Sequence, residues 1–427
     1  KRPRQGAEER PAQPQRGHGP QPQPDLPVVE VKHELAEEDR ICPSCGMTMT
    51  AMGEGSEDSD EITVVGVEYT ILKHRRQKYR CTCTDHVLTA PAPAKLIPGG
   101  RYSIDFAIHV AEQKYLDHLP LERQARAMER TGLKITSQTL WDQVDVLAAH
   151  LEPTYRALLQ EVLDAEVVYA DETQWPLMER TGTSKWWTWC VVSDQIATYR
   201  ILPSRSKNAA AEVLLGYSGV VMSDGYAAYN DLERAGPTGR VTLAHCWAHV
   251  RRKFVEAEDA SPELSSWVVE TIGELFSLER EIARHRPADP EGWQDTCRTI
   301  RRERSRPVCD RLLEWAVEHR GRVLPKSKMG RAIGYMLNLW PGLTRFLDDP
   351  RVPLDNNAAE RALRGLVVGR KNHYGSRSQR GADVAALFYT LFETAKLSGV
   401  DPRAYVREAA TRAVRQPGTA TLPNDLT

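Results

Sequence analysis

The spacing of hydrophobic and polar positions changes twice along the chain. From residue 103 to 165 apolar residues recur at helical spacing. Leu121–Arg130 predicts one helix, Thr131-Gly132-Leu133 a turn, and Ser137 the cap of a second helix through Trp141, Val144 and Leu147. This is the outline of a helix-turn-helix, and equally of a plain helical hairpin packed on its neighbour.

From Glu166 the pattern shortens. Val167-Val168-Tyr169-Ala170 predicts a buried strand ending at Asp171, Trp186–Val192 a second strand and Thr198–Leu202 a third. Lys207–Leu215 predicts a helix, Gly219–Ser223 a fourth strand ending at Asp224, and Val241–Ala244 a fifth, with a helix from about Trp247. A three-strand meander followed by strands separated by helices describes an α/β fold, a mixed sheet with helices on its faces. The order is the ribonuclease-H-like one.

Residues 255–349 are helical again, without strand signals. Trp267, Ile272, Leu275, Phe276 and Leu278 form one apolar stripe, and Leu312, Leu313, Ala316 and Val317 another. Between them Arg298, Arg301, Arg302, Arg304 and Arg306 predict a basic helix face. Asp355-Asn356-Asn357 reads as a helix start, and Ala382–Ser398 as the last strong helix, ended by Gly399 and Pro402.

Toward the other end, residues 1–24 are Pro- and Gln-rich with almost no apolar positions, and are expected to be disordered, with order beginning near Val28. Residues 41–90 form a small module. Cys42-Pro43-Ser44-Cys45 opens it, an acidic loop from Glu54 to Glu61 and a predicted strand over Ile62–Leu72 follow, and Cys81-Thr82-Cys83 closes it.

Composition adds limits. A length of 427 residues allows roughly two to four domains. With 57 Lys+Arg against 58 Asp+Glu and a net charge of -1, a wholesale basic surface is excluded, so nucleic-acid contact has to come from local patches. No apolar run approaches the roughly 18 residues of a membrane span, and no membrane partner is expected. No signal peptide is visible, although the chain begins at Lys1 and is expected to lack its true N-terminus. Eight cysteines, four clustered and four scattered, suit a reducing compartment and a metal site better than a disulfide scaffold.

The chemistry concentrates at three places. Asp171 and Asp224 each follow an apolar strand, and two carboxylates at adjacent strand ends repel unless a cation lies between them. Oxygen donors select Mg²⁺ or Mn²⁺. Glu360, one turn after Asn356, is the candidate third carboxylate, with Arg364 a turn further on. Second, residues 361–380 carry Arg361, Arg364, Arg370, Lys371, Arg377 and Arg380 with no acid, which suits phosphate contact. Third, Cys42, Cys45, Cys81 and Cys83 are candidate Zn²⁺ ligands, His86 being the alternative to Cys83. Arg75, Arg76 and Lys78 precede the second pair and are candidate DNA contacts.

The strings Tyr169-Ala170-Asp171-Glu172-Thr173, Ser223-Asp224-Gly225-Tyr226, His245-Cys246-Trp247-Ala248-His249-Val250-Arg251-Arg252-Lys253-Phe254, Asp355-Asn356-Asn357-Ala358-Ala359-Glu360-Arg361 and Gly369-Arg370-Lys371-Asn372 resemble bacterial insertion-sequence transposases of the IS-sixty-six type. The resemblance runs in order over about residues 40–400. It implies an Asp-Asp-Glu transposase with a ribonuclease-H-like core and assigns Asp171, Asp224 and Glu360 as the metal-binding triad. It implies a zinc-binding domain at the cysteine module, where the family usually has Cys-x-x-Cys and this chain has Cys-x-Cys. Cys246-x-x-His249 resembles a second signature of related transposases. Here the Cys and His, with Asn356 and Asn357, are expected to order the site or touch DNA.

The implied segments are a tail at 1–40, a zinc-binding module at 41–90, a helical segment at 91–165 and a first part of the catalytic core at 166–254. A helical insertion at 255–349, the Glu-bearing part of the core at 350–400 and a C-terminal tail at 401–427 complete them. The implied partners are transposon-end and target DNA, further copies of the chain on that DNA, and helper proteins of the element, in the bacterial cytoplasm at the nucleoid. Two other readings remain open on the sequence, a non-catalytic DNA-binding remnant and a stand-alone nuclease of the same fold.

Overall fold

The computed structural model describes residue 47 and residues 69–80, 87–89, 93–179, 185–232, 241–288 and 292–426. The chain divides into two units, 1–66 and 67–427, and all the described residues except Met47 belong to the second. The N-terminal tail, the acidic loop, Cys42, Cys45, Cys81, Cys83 and His86 lie outside the described residues. So does most of the strand expected at Ile62–Leu72. Its described part, residues 69–72, is irregular, and the first pairing is β1 (Lys78–Arg80) antiparallel to β2 (Val87–Thr89).

Three helices follow: α1 (Ile104–Tyr115), α2 (Leu121–Arg130) and α3 (Ser137–Glu161). The cap of α3 is Thr136 rather than Ser137, its hydroxyl accepting from the Thr139 amide at 3.2 Å. Buried Gln124 on α2 donates to the carbonyls of Val110 and Leu119, so the helix is tied to α1 by polar as well as apolar contacts.

The sheet has the order β5-β4-β3-β6-β7, from β3 (Val167–Pro176), β4 (Lys185–Val192), β5 (Ala197–Leu202), β6 (Gly219–Ser223) and β7 (Val241–His245). The first three pair antiparallel, while β6 and β7 join β3 in parallel. A short helix, α4 (Lys207–Val213), lies between β5 and β6. One strand differs from expectation: β3 does not stop at Asp171 but continues to Pro176, because β4 pairs with it along that whole length.

Alternation along β4 explains the two covered faces. Cys190 and Val192 enter one core with α1–α3 and the C-terminal helices, while Trp189 and Val191 enter another with α4. The edge strand β5 is closed by side chains: Tyr199 N and Ala197 N donate to Thr390 and Thr394 Oγ1 of a helix packed across it.

Between β7 and the last helices run α5 (Trp247–Val255), α6 (Pro262–Ala288), α7 (Trp293–Ile300), α8 (Arg306–Arg320) and α9 (Lys328–Leu343). All but α7 share a third core that includes Phe254, Ile272, Leu312 and Met336. Residues 301–305 wind as one wide π turn joining α7 to α8. Then come α10 (Asn357–His373), α11 (Gln379–Leu397) and α12 (Pro402–Arg415). α12 lies in the expected tail, yet it buries Tyr405, Val406, Ala409, Ala410 and Ala413. Among the described residues no helix is long and apolar enough to cross a membrane.

Candidate active site

The last parallel pair of β3 and β6 is Tyr169 with Met222. Asp171 and Asp224 each lie two residues beyond it, so they stand at matching positions where β3 and β6 part, Asp171 still paired with Cys190 of β4. Asp224 sits in a fixed turn. Its Oδ1 accepts from the Tyr226 amide at 2.8 Å, its main-chain oxygen accepts from the Tyr335 hydroxyl of α9, and Gly225 beside it has a φ of +87°. Asp171 Oδ1 accepts from the Glu172 amide at 2.8 Å.

Glu360 reaches the same place from α10. The start of that helix is tied to the sheet by Asn356, whose Nδ2 donates to Ala170 O at 2.9 Å and whose amide donates to Cys246 Sγ at 3.2 Å. Trp247 N donates to Leu354 O at 3.0 Å, joining α5 to the same approach. Asn357 closes the turn by donating twice to Asp355. One turn on, Glu360 Oε1 lies 3.4 Å from His249 Nε2 and accepts from Arg252 Nη2 at 3.3 Å.

Electrostatics mark these carboxylates as one cluster. Burial first, then the charges of Glu172, Asp224 and Glu360, push the Asp171 carboxyl up to about 7. Burial holds the His249 imidazole below its ordinary value, so at neutral pH its contact with Glu360 is that of a neutral ring rather than an ion pair. The donors are hard oxygens that repel one another, the chemistry that suits Mg²⁺ or Mn²⁺. As placed, no three His, Cys, Asp or Glu side chains among the described residues close round one point.

Several contributors are not evident from the sequence. Glu172 points to the opposite face of β3, where Arg205 Nε donates to it at 2.7 Å and the Tyr229 hydroxyl at 2.8 Å. The Arg205 guanidinium is stacked on Tyr226, 3.8 Å from the ring centre. This network braces the turn that holds Asp224. Its signal in the sequence is an ionisable residue at an inward position of a strand. Arg252 lies one turn after His249 on α5, and what marks it is its contact with Glu360 on α10.

The basic residues separate into two groups. Arg361, Arg364 and Lys371 are exposed on α10 and have no ion-pair partner among the described residues. Arg370 turns inward and donates to Thr173 Oγ1 at 2.8 Å and to Gln174 O, tying α10 to β3. Arg380 pairs with Asp145 at 2.6 Å and Arg377 lies 3.9 Å from Glu122. Arg75, Arg76 and Lys78 are exposed on the run into β1.

The basic face expected at 298–306 does not form. Arg298 pairs with Asp295, Arg301 with Glu279, Arg302 with Glu303, Arg304 with Glu281 and Arg306 with Asp348. Arg301 is buried, and it also donates to the carbonyls of Phe346 and Asp349. The scattered cysteines, Cys190, Cys246, Cys297 and Cys309, are buried free thiols, with burial raising Cys246 to about 11.

Residues 99–384 match the family described as "Transposase IS66 family". Three proteins of Sinorhizobium fredii (strain NBRC 101917 / NGR234) are similar along most of the chain. "Uncharacterized protein y4hP" is 29% identical, covering 92% of this chain and 74% of its own length. "Uncharacterized protein y4qI" is 32% identical over 90% and 72%. "Uncharacterized protein y4jD" is 31% identical over 89% and 76%.

Proposed function

The chain belongs to the IS66 family of transposases, and from that premise we propose that it cleaves the ends of a bacterial insertion sequence and joins the freed 3′-hydroxyl to target DNA. The observation that carries this reading is the convergence of Asp171, Asp224 and Glu360, from β3, β6 and α10, where the charges of the latter two raise the pKa of the first. In this reading the five-strand sheet is a ribonuclease-H-like core, the helices at 255–349 are inserted into it, and α10 brings the third carboxylate back.

Asp171 and Asp224 would hold Mg²⁺ or Mn²⁺, and Glu360 would complete the set. The bound cation would polarise the phosphodiester and lower the pKa of the attacking water or hydroxyl. Asn356 and the Glu172–Arg205 network hold the carboxylates in register. Arg361, Arg364 and Lys371 would bind backbone phosphates, supported by their exposure and by the lack of acid partners among the described residues. Arg75, Arg76 and Lys78 would add contacts from the N-terminal side. The Zn²⁺ module of Cys42, Cys45, Cys81 and Cys83, with His86 as alternative ligand, rests on cysteine spacing and on the sequence resemblance. Assembly of several copies on paired ends, and helper proteins of the element, would accompany this activity and are expectations carried by the resemblance.

The test uses DNA carrying the inverted repeats that flank the reading frame, a supercoiled plasmid target and Mg²⁺. A product in which element ends are covalently joined to the plasmid is expected. Cutting without joining would leave a nuclease, and neither cutting nor joining would leave a DNA-binding protein.

A further inference from the structure

A groove of about 610 Å³ opens between α5 and α6, within the roughly 300–1,000 Å³ of small-ligand sites. Arg251 and Arg252 line it from α5, and Arg280 from α6. Its apolar lining includes Val255, Gly273 and Phe276, and no acidic residue contributes to it. We propose that this groove binds a single DNA strand beside the carboxylate cluster, with phosphates on the arginines and an unpaired base against Phe276 and Val255.

Charge on the surrounding helices favours an anionic occupant. Of the five acids of α6, Glu274 is taken up by Arg311, Glu279 by Arg301 and Glu281 by Arg304, Glu270 accepts from the Ser266 hydroxyl, and neither Glu270 nor Glu263 lines the groove. The arginines that fail to form a basic face of their own thereby leave the groove positive. Arg280 donates to the uncharged Ser277 hydroxyl at 2.8 Å, and Arg251 has no ion-pair partner among the described residues. The apolar floor selects among anions, since a bare phosphate gains nothing from Phe276 or Val255. A single strand offers phosphates and an unstacked base face together, and aromatic contact with such a face tolerates any sequence. A duplex keeps its bases stacked inside. The groove also adjoins the chemistry, because Arg252 reaches from it to Glu360 at 3.3 Å.

The inference rests on the DNA-directed reading above, and Gly273 allows a test of its own. A Cβ built there meets nothing within 4 Å, so Gly273→Phe projects a side chain into the groove without removing a charge. The probes are a fluorescent oligothymidine and a hairpin duplex of equal length, titrated by anisotropy over a range of salt. For Arg251→Ala/Arg280→Ala, single-strand affinity is expected to fall at least tenfold, with the logarithmic salt dependence reduced by about 1.4 for two phosphates. Gly273→Phe should weaken single-strand binding with the salt dependence kept, and duplex affinity should stay within twofold in both variants. Unchanged single-strand binding in either folded variant, or equal losses for strand and duplex, would overturn the proposal. End cleavage by wild-type protein alongside unchanged single-strand binding would sink the groove alone. Strand-selective loss in a protein that never cuts end DNA would sink the functional reading alone.

Discussion

The side-chain amide of Asn356 donates to the main-chain oxygen of Ala170 at 2.9 Å, across 186 residues of sequence. Ala170 immediately precedes Asp171, and Asn356 stands one turn before Glu360, so this bond fixes the distance between two carboxylates. Asn356→Ala leaves a buried carbonyl without that donor, at a cost of about 1–3 kcal/mol. It also frees the start of α10. Denaturant unfolding should show that loss, and end cleavage should fall by about 10–100-fold, the scale expected when a reacting group is misplaced by about an ångström. Wild-type cleavage in the folded variant would contradict the tether's role.

Asp171 makes the cation-free protein sensitive to pH. Its folded pKa is raised to about 7, chiefly by burial, above an unfolded value of about 4. Below about pH 4 the group is protonated in both states and costs nothing. As pH rises from about 4 to about 7 the unfolded state ionises first, and the folded state loses stability relative to it by on the order of a few kcal/mol, the loss being complete above 7. In chelator, Asp171→Asn should therefore melt higher than wild type at pH 8, with the gap closing toward pH 4. Added Mg²⁺ should raise the melting temperature of wild type more than that of the variant.

Ion-paired and unpaired arginines should behave differently. Arg302→Ala and Arg304→Ala remove members of exposed ion pairs and should change duplex affinity less than twofold. Arg361→Ala or Arg364→Ala should weaken it and lower the logarithmic salt dependence by about 0.9 each. Equal effects in the two groups, measured by anisotropy, would contradict the charge assignment.

Arg301→Ala should act on stability. It breaks a buried pair with Glu279 and leaves the carbonyls of Phe346 and Asp349 without their donor. A loss on the order of 3–5 kcal/mol is expected in denaturant unfolding, and a loss under about 1 kcal/mol would contradict it.

Local pattern carried far along this chain. Leu121–Arg130 and Gly219–Ser223 have the bounds that their apolar spacing predicts, because each buries a face whose period is visible within a few residues. The end of β3 was not legible in that way. Glu172 and Thr173 predict a strand's exit, yet they stay in the sheet because β4, a separate segment, pairs with them at Trp189 and Thr188. The arginines at 298–306 likewise depart from the basic face that their run predicts, since the acids that pair with Arg301 and Arg304 lie a helix away. At the candidate site, the two Asp residues stood out by following apolar strands. That Arg252 and His249 contact Glu360 depends on how α5 and α10 approach each other, which spacing along one helix does not encode.

The central claim is that Asp171, Asp224 and Glu360 act as one group, and Glu360→Gln tests it most directly. The substitution keeps the size of the side chain and its oxygen facing Arg252 while removing the charge. Purified variant and wild type, matched in melting temperature and in affinity for end DNA, are compared for Mg²⁺-dependent release of the 3′-hydroxyl strand. A loss of at least a thousandfold in cleavage with binding retained is the expected result. Cleavage by Glu360→Gln at the wild-type rate would contradict it.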